Sequence, residues 1–273
     1  MILYLRKILL ILLDKILNIV KELKLIILKN KMESLYHYTS INKLGLILSS
    51  KKIRFTRLDH VNDPNEGRTS DFGTMNRYIL VSCWTKHKEE NLALWNMYTE
   101  KMRGVRIELP MPIFQNYSNE ETNDSLVPED QLYNKNKGYL IYDATNSPTD
   151  ITYTDDHDKL NPNIRTNKGL DVKNLGIYKK KIWLIENETR FIIRIVPFNE
   201  NETEDSFSRA LENKTAPPID HYDIDINVES LKKMKIRIGP KIHPGDLEII
   251  KALIDKYNPY ALVEESVLTG EIK

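Results

Sequence analysis

Two short stretches hold side chains that can do chemistry together. The first is Tyr36-His37-Tyr38-Thr39. Strand alternation puts His37 on one face and both tyrosines on the other. A neutral histidine beside hydroxyl groups can hydrogen-bond a ribose or an amide. The plainer alternative is a core histidine bonded to a backbone carbonyl. The second stretch is Glu186-Asn187-Glu188-Thr189-Arg190. A period of two predicts Glu186, Glu188 and Arg190 on one face. Arg190 would then hold one carboxylate ionised and leave the other free to bond a hydroxyl. A carboxylate fixed below an anomeric carbon stabilises an oxocarbenium-like transition state, as in glycosyl transfer. The alternative is a solvated, salt-bridged strand end.

Two further groups are weaker. Asp59, Asp63 and Glu66, with Arg57 and His60 adjacent, surround Asn62-Asp63-Pro64, which reads as turn chemistry before it reads as a metal site. With Glu186 and Glu188, Asp63 and Glu66 would suit a metal-dependent nuclease or other hydrolase. Trp84, Trp95, Tyr98 and Trp183 form an aromatic set. The i, i+3 spacing makes Trp95 and Tyr98 core residues first and a stacking wall second.

Several sites are missing from the chain. It has no G-x-G-x-x-G, P-loop, H-E-x-x-H or G-x-S-x-G motif. Ten glycines in 273 residues do not favour a Gly-rich phosphate cradle. The six histidines show no metal-ligand spacing, and the lone Cys83 excludes an intramolecular disulfide or a cysteine-based zinc cluster. Forty Lys+Arg against 39 Asp+Glu give no bulk charge for nucleic-acid binding, though a local basic groove remains open. This composition fits a soluble protein of a reducing, cytoplasmic compartment.

The elements that must position these groups follow from periodicity. Strands are predicted at 35–39, 52–56, 78–85, 105–109, 190–196, 233–238 and 260–268. Residues 139–142 and 151–154 are expected to pair around a Thr-Asn-Ser-Pro turn. Helices are predicted from Thr39 or Ser40 through Ser50, over 91–103 with Gly104 as the stop, over most of 168–185, and over 246–257. Residues 115–137 and 199–216 read as polar surface insertions. Interspersed elements without βαβ repeats imply an α+β domain with a mixed, mostly antiparallel sheet.

Residues 1–31 differ from the globular part, 32–273. Ile2, Leu5, Leu9, Leu12, Ile16, Ile19, Leu23 and Ile26 recur 3 and 4 apart, which predicts an amphipathic helix with a heptad seam. Charged residues interrupt it too often for a transmembrane span. Its breadth and basic flank suit packing on its own domain, a second copy of the chain, or an anionic membrane surface. Met32 stands directly before the first motif, so a chain beginning there is expected to fold on its own.

The motifs occur in a fixed order: Tyr36-His37-Tyr38-Thr39-Ser40, Asn62-Asp63-Pro64-x-Glu66, Ser82-Cys83-Trp84, Leu94-Trp95-x-x-Tyr98 with Gly104, Trp183-x-x-Glu186-x-Glu188-x-Arg190, and Ile238-Gly239-Pro240-Lys241. This set resembles a bacterial and phage family of unknown function that opens with Leu-Tyr-His-Tyr. The likeness runs from about Leu35 to the C-terminus. The opening strand and helix also resemble DarT-type ADP-ribosyltransferases and RNA 2′-phosphotransferases, and Glu186-x-Glu188 resembles the Glu-x-Glu of arginine-type ADP-ribosyltransferases. The resemblance implies a split-sheet core and NAD as co-substrate. It implies Glu188 and Glu186 as catalytic residues, with Glu188 at the ribose 2′-hydroxyl. His37, Tyr36, Tyr38, Arg190 and Tyr98 would form the NAD site, with Tyr38 or Tyr98 stacked on nicotinamide. The acceptor would be a nucleic acid or a protein, and the setting a toxin or bacterium–phage conflict. The central Ser-Thr-Ser or Tyr-Tyr element of those enzymes is not identified in this chain. A non-enzymatic nucleotide-binding or sensor module would use the same pocket residues.

Overall fold

The computed structural model of the chain describes residues 33–118, 124–132, 137–167, 169–198 and 206–272. The helix expected over residues 1–31 lies outside them. Strands follow in chain order: β1 (Ser34–Thr39), β2 (Lys52–Arg57), β3 (Ile79–Thr85), β4 (Val105–Pro110), β5 (Tyr139–Asp143), β6 (Thr149–Asp150), β7 (Thr152–Thr154), β8 (Arg165–Thr166), β9 (Gly169–Leu170), β10 (Tyr178–Lys180), β11 (Glu188–Pro197), β12 (His221–Asp225), β13 (Lys235–Ile238) and β14 (Leu262–Glu265). The main sheet runs β12-β2-β3-β1-β4-β13-β14, and β11 joins β3, β5 and β6. Its pairs are antiparallel except β13 with β14. Ser34–Lys273 forms one α+β unit, as its pattern of elements implies.

β3, predicted over 78–85 from its continuous apolar run, is central as expected, and it has three neighbours. β11 pairs along its whole length, from Arg194↔Ile79 to Glu188↔Thr85. The opposite edge is shared. β2 takes only Leu80 and Val81, and β1 reaches only Thr85, through Tyr36. Neither strand pairs with Ser82, Cys83 or Trp84, so the sheet is split there.

Helices pack on the sheet and on one another. Ile41–Ser50 starts at Ser40, whose side chain accepts the Lys43 amide, and buries Leu44, Ile47 and Leu48. It packs against Pro244–Tyr257. The helix Leu92–Tyr98 buries Leu94 and Trp95, and Trp95 meets the Tyr38 ring edge-on at 4.9 Å. Trp95 is fully buried and donates its indole N–H to Glu90 at 2.8 Å, so it is a core residue.

Several expected elements differ. The helix predicted to reach 103 ends at Tyr98, and Glu100, Lys101 and Met102 have positive φ. Gly104 is therefore a point of close approach rather than a helix stop. A Cβ there would collide with the Thr39 carbonyl oxygen and lie 2.8 Å from Thr99 Cβ. The stretch 168–185, expected to be helical, includes β10 and the 3₁₀ helix Lys181–Glu186. Here pairing with β7 overrides local preference. The expected 139–142 with 151–154 hairpin does not form, because β5 and β6 pair with β11 and β7 pairs with β10. The two insertions are more than surface. Leu126, Val127 and Leu211 are buried in the core, and Ser206–Glu212 is helical. β12 is a strand beyond those predicted, although Tyr222, Ile224 and Ile226 alternate with His221, Asp223 and Asp225. No helix among the described residues is long and apolar enough to cross a membrane.

Gly104→Ala is expected to lower unfolding stability by about 1–3 kcal/mol, because backbone on the facing strand cannot yield as a side chain can. Urea unfolding followed by far-ultraviolet circular dichroism measures it.

Candidate functional site

The split in the sheet opens a cavity of about 390 Å³, within the span of about 300–1,000 Å³ usual for ligand sites. Its lining comes from both sheet faces. Leu46, Ile47 and Ser50 belong to the helix Ile41–Ser50, and Leu94 and Tyr98 to the helix Leu92–Tyr98. All seven residues of the expected site line it: Tyr36, His37, Tyr38, Tyr98, Glu186, Glu188 and Arg190.

They do not share a face. Tyr36 and Glu188 are both register partners of Thr85, so they project to the same side. His37, one residue on, belongs to the other side with Trp84, whose ring lies 5.1 Å from the imidazole. His37 and Glu188 thus meet the same cavity across the split. His37 Nδ1 stands 2.9 Å from the Cys83 carbonyl oxygen, in the stretch of β3 that has no strand on this edge. A carbonyl only accepts, so Nδ1 carries the proton and Nε2 is left as an acceptor. Burial, with the Lys43 charge adding to it, holds the imidazole at a pKa of about 4, against the Cys83 hydrogen bond. His37 is neutral at pH 7.

Glu188 is the centre of a buried charge cluster. Arg190 Nε donates to its Oε1 at 2.7 Å, and Lys179 Nζ to its Oε2 at 3.1 Å. Lys179 also meets Glu186 at 2.5 Å, and Arg190 Nη1 meets Glu66 Oε1 at 2.5 Å. Burial works against the Glu188 anion, but the charges of Arg190 and Lys179 outweigh it and hold the carboxyl below its usual range. The same carboxylates outweigh burial at Lys179 and keep it a firm cation. The Cys83 thiol is pushed up, by burial and then by Glu188, so it is no ready thiolate.

The expected division of labour between the two glutamates holds in part. Glu188 is the one held by Arg190, while Glu186 accepts from the Tyr98 hydroxyl at 2.5 Å. The stated reason for their meeting does not hold. Glu186 ends the 3₁₀ helix and Asn187 is left-handed at φ 42, so strand alternation stops at Glu188 and Lys179 brings the two carboxylates together. His37 and Glu188 are expected to be exposed together in one cleft, but Glu188 is enclosed at 6%, and Glu186 beside it at 4%. Tyr38 is committed elsewhere, to Trp95 and to the Asn91 amide at 3.1 Å, which leaves Tyr98 as the better placed of the two candidate stacking tyrosines.

Lys179 was not anticipated, because a lysine run reads as a solvated face. Glu66 was grouped with the acidic loop, but Asp63 spends its side chain on the Asn65 amide as a turn. Glu66 does reach Glu188, around Arg190 and Lys179. Amino-acid cations hold the place between these carboxylates, and no group of three metal-ligating side chains occurs among the described residues.

Family models, curated proteins and solved structures give no match to this chain. The functional reading therefore rests on the geometry of the cavity.

The low His37 pKa has a consequence for stability. An unfolded histidine takes its proton near pH 6.5, and the folded one only near pH 4. Between these values the unfolded state binds more protons, so stability falls as pH drops, by at most about 1.4 kcal/mol per pH unit. His37→Gln is expected to flatten that slope in urea titrations between pH 6.5 and 4.

Proposed function

We propose that this protein is an NAD-consuming enzyme of the ADP-ribosyltransferase type, transferring ADP-ribose to a nucleic-acid or protein acceptor in bacterium–phage conflict. One observation carries the reading: a neutral histidine and a fixed carboxylate line one cavity from the two sides of a split sheet. The resemblance of the opening and Glu-x-Glu motifs supports the same class.

The chemistry suits these groups. When the glycosidic C–N bond breaks, its electron pair leaves with nicotinamide, and positive charge grows on the ribose. An anion already held in place stabilises that charge more than it stabilises the substrate. Glu188, fixed by Arg190 and Lys179, takes this role at the ribose 2′-hydroxyl. Glu186, bonded to Tyr98, receives the acceptor's proton as the new bond to the ribose forms. His37 Nε2 accepts from a ribose hydroxyl or the nicotinamide amide, and its neutrality avoids opposing the growing charge. Tyr98 offers its ring to nicotinamide.

A second reading has its own support. Both glutamates are nearly enclosed and ion-paired, which fits a nucleotide-binding or sensor module that does no chemistry.

Calorimetry with NAD and release of nicotinamide decide between them. Glu188→Gln is expected to keep NAD binding and to lose turnover by about 10²-fold or more, as when a preorganised stabilising group is removed. His37→Ala is expected to weaken NAD binding about tenfold, the worth of one hydrogen bond. Binding without release would favour the module, and wild-type protein that does neither would refute the NAD site.

A further inference from the structure

The charge cluster has three carboxylates and two cations, and its third acid comes from a loop that no part of the proposed chemistry uses. Glu66 follows the Asn62-Asp63-Pro64 turn, and its side chain is fully buried. It takes Arg190 Nη1 at 2.5 Å, while Nη1 also donates to the Gly176 carbonyl at 3.1 Å. Arg190 Nε and Nη2 both face Glu188 Oε1, at 2.7 and 2.6 Å. The guanidinium is thus gripped between the two acids. Glu66 Oε2 has no hydrogen-bond partner and lies 3.7 Å from Lys179, so it draws on the second cation of Glu188 as well.

We propose that Glu66 is a positioning residue for Glu188: it fixes Arg190 from the far side, so that the guanidinium and Lys179 present Glu188 to the cavity in one orientation. This rests on the reading of Glu188 as the charge-stabilising carboxylate. The groups facing the pair are Arg190 on β11, Lys179 on β10, Glu186 closing the 3₁₀ helix, Cys83 on β3, Tyr98 on the helix Leu92–Tyr98 and Tyr153 on β7. Three anions on two cations leave one negative charge in excess inside the protein, an arrangement of high cost. Burial raises the Glu66 carboxyl against the pull of Arg190 and Lys179, whereas Glu188 is held low. Of these two acids, Glu66 is the one whose anion burial disfavours on balance. Glu188 keeps its charge and its two donors.

The experiment compares wild type with Glu66→Gln and Glu66→Asp in the full chain, by two readouts. The first is the pH profile of nicotinamide release. Glu66→Gln is expected to lower kcat about tenfold or more with KM little changed, since misplacement of a fixed group is felt in the transition state, and to move the acid limb of the profile. Glu66→Asp keeps the charge but shortens the arm, so it keeps the position of the limb with a reduced kcat. The second readout needs no NAD chemistry: titration of glutamate side chains by carbon-13 NMR, with Glu188→Gln as the assignment control. Removing the Glu66 anion is expected to abolish one raised carboxyl titration and to shift Glu188 further down. If Glu188 titrates at the same pH in all three proteins, the positioning role is overturned. If NAD is neither bound nor cleaved while Glu188 still shifts with Glu66→Gln, the coupling stands and the enzyme reading falls. A merely structural Glu66 would change the unfolding midpoint and leave both pH profiles where they were, which also overturns the role.

Discussion

Burying an arginine and a lysine together sets the terms for this site. Arg190 is wholly enclosed and Lys179 nearly so. A buried cation without partners is untenable, so each must meet carboxylates at hydrogen-bond distance. Glu66, Glu186 and Glu188 supply them from a loop, a 3₁₀ helix and a strand. Such a cluster adds little to net stability compared with an apolar core of the same volume, yet removing one member strands the rest. What it provides is a fixed direction for the Glu188 oxygens, and a preorganised carboxylate needs that above all.

The second constraint is the shared edge of β3. Two strands cannot both pair with one edge over its full length, so three residues of β3 go without a strand there. A buried backbone carbonyl left over by that arrangement needs a donor, and the His37 ring meets the need at Cys83. The same bond fixes which imidazole nitrogen faces the cavity. The gap in the sheet and the tautomer of its histidine thus have one cause.

The sequence was legible where the signal was local. The apolar run of β3, the Ser40 cap, the buried face of Ile41–Ser50 and the core role of Trp95 all follow from spacing within a dozen residues. Five of the seven named site residues reach the cavity on two strands, Tyr36, His37 and Tyr38 on β1 and Glu188 and Arg190 on β11, while Tyr98 comes from a helix and Glu186 from the 3₁₀ helix. The rest was illegible for a physical reason. Lys179 stands in Tyr178-Lys179-Lys180-Lys181, and no periodicity distinguishes the one buried lysine of that run. Its burial depends on parallel pairing with Thr152–Thr154, which local preference does not encode. The tie between Glu66 and Arg190 leaves no mark at either place. One available signal is Arg190 itself: a cation running straight into the apolar stretch Phe191–Ile193 calls for an acid from elsewhere in the chain.

That long tie also bears on how the molecule comes into being. Glu66 and Arg190 are 124 residues apart. On the ribosome the acidic loop and β3 emerge long before the strand that completes them. Until then Glu66 stays hydrated, and the edge of β3 destined for β11 has no partner. The chamber cannot close early: the last strand to reach β3 brings the cation that makes burial of the loop tolerable. A nascent chain halted before Arg190 therefore lacks both the partner of that edge of β3 and the cation that Glu66 meets, and any activity lodged in the cavity is withheld until β11 has been made.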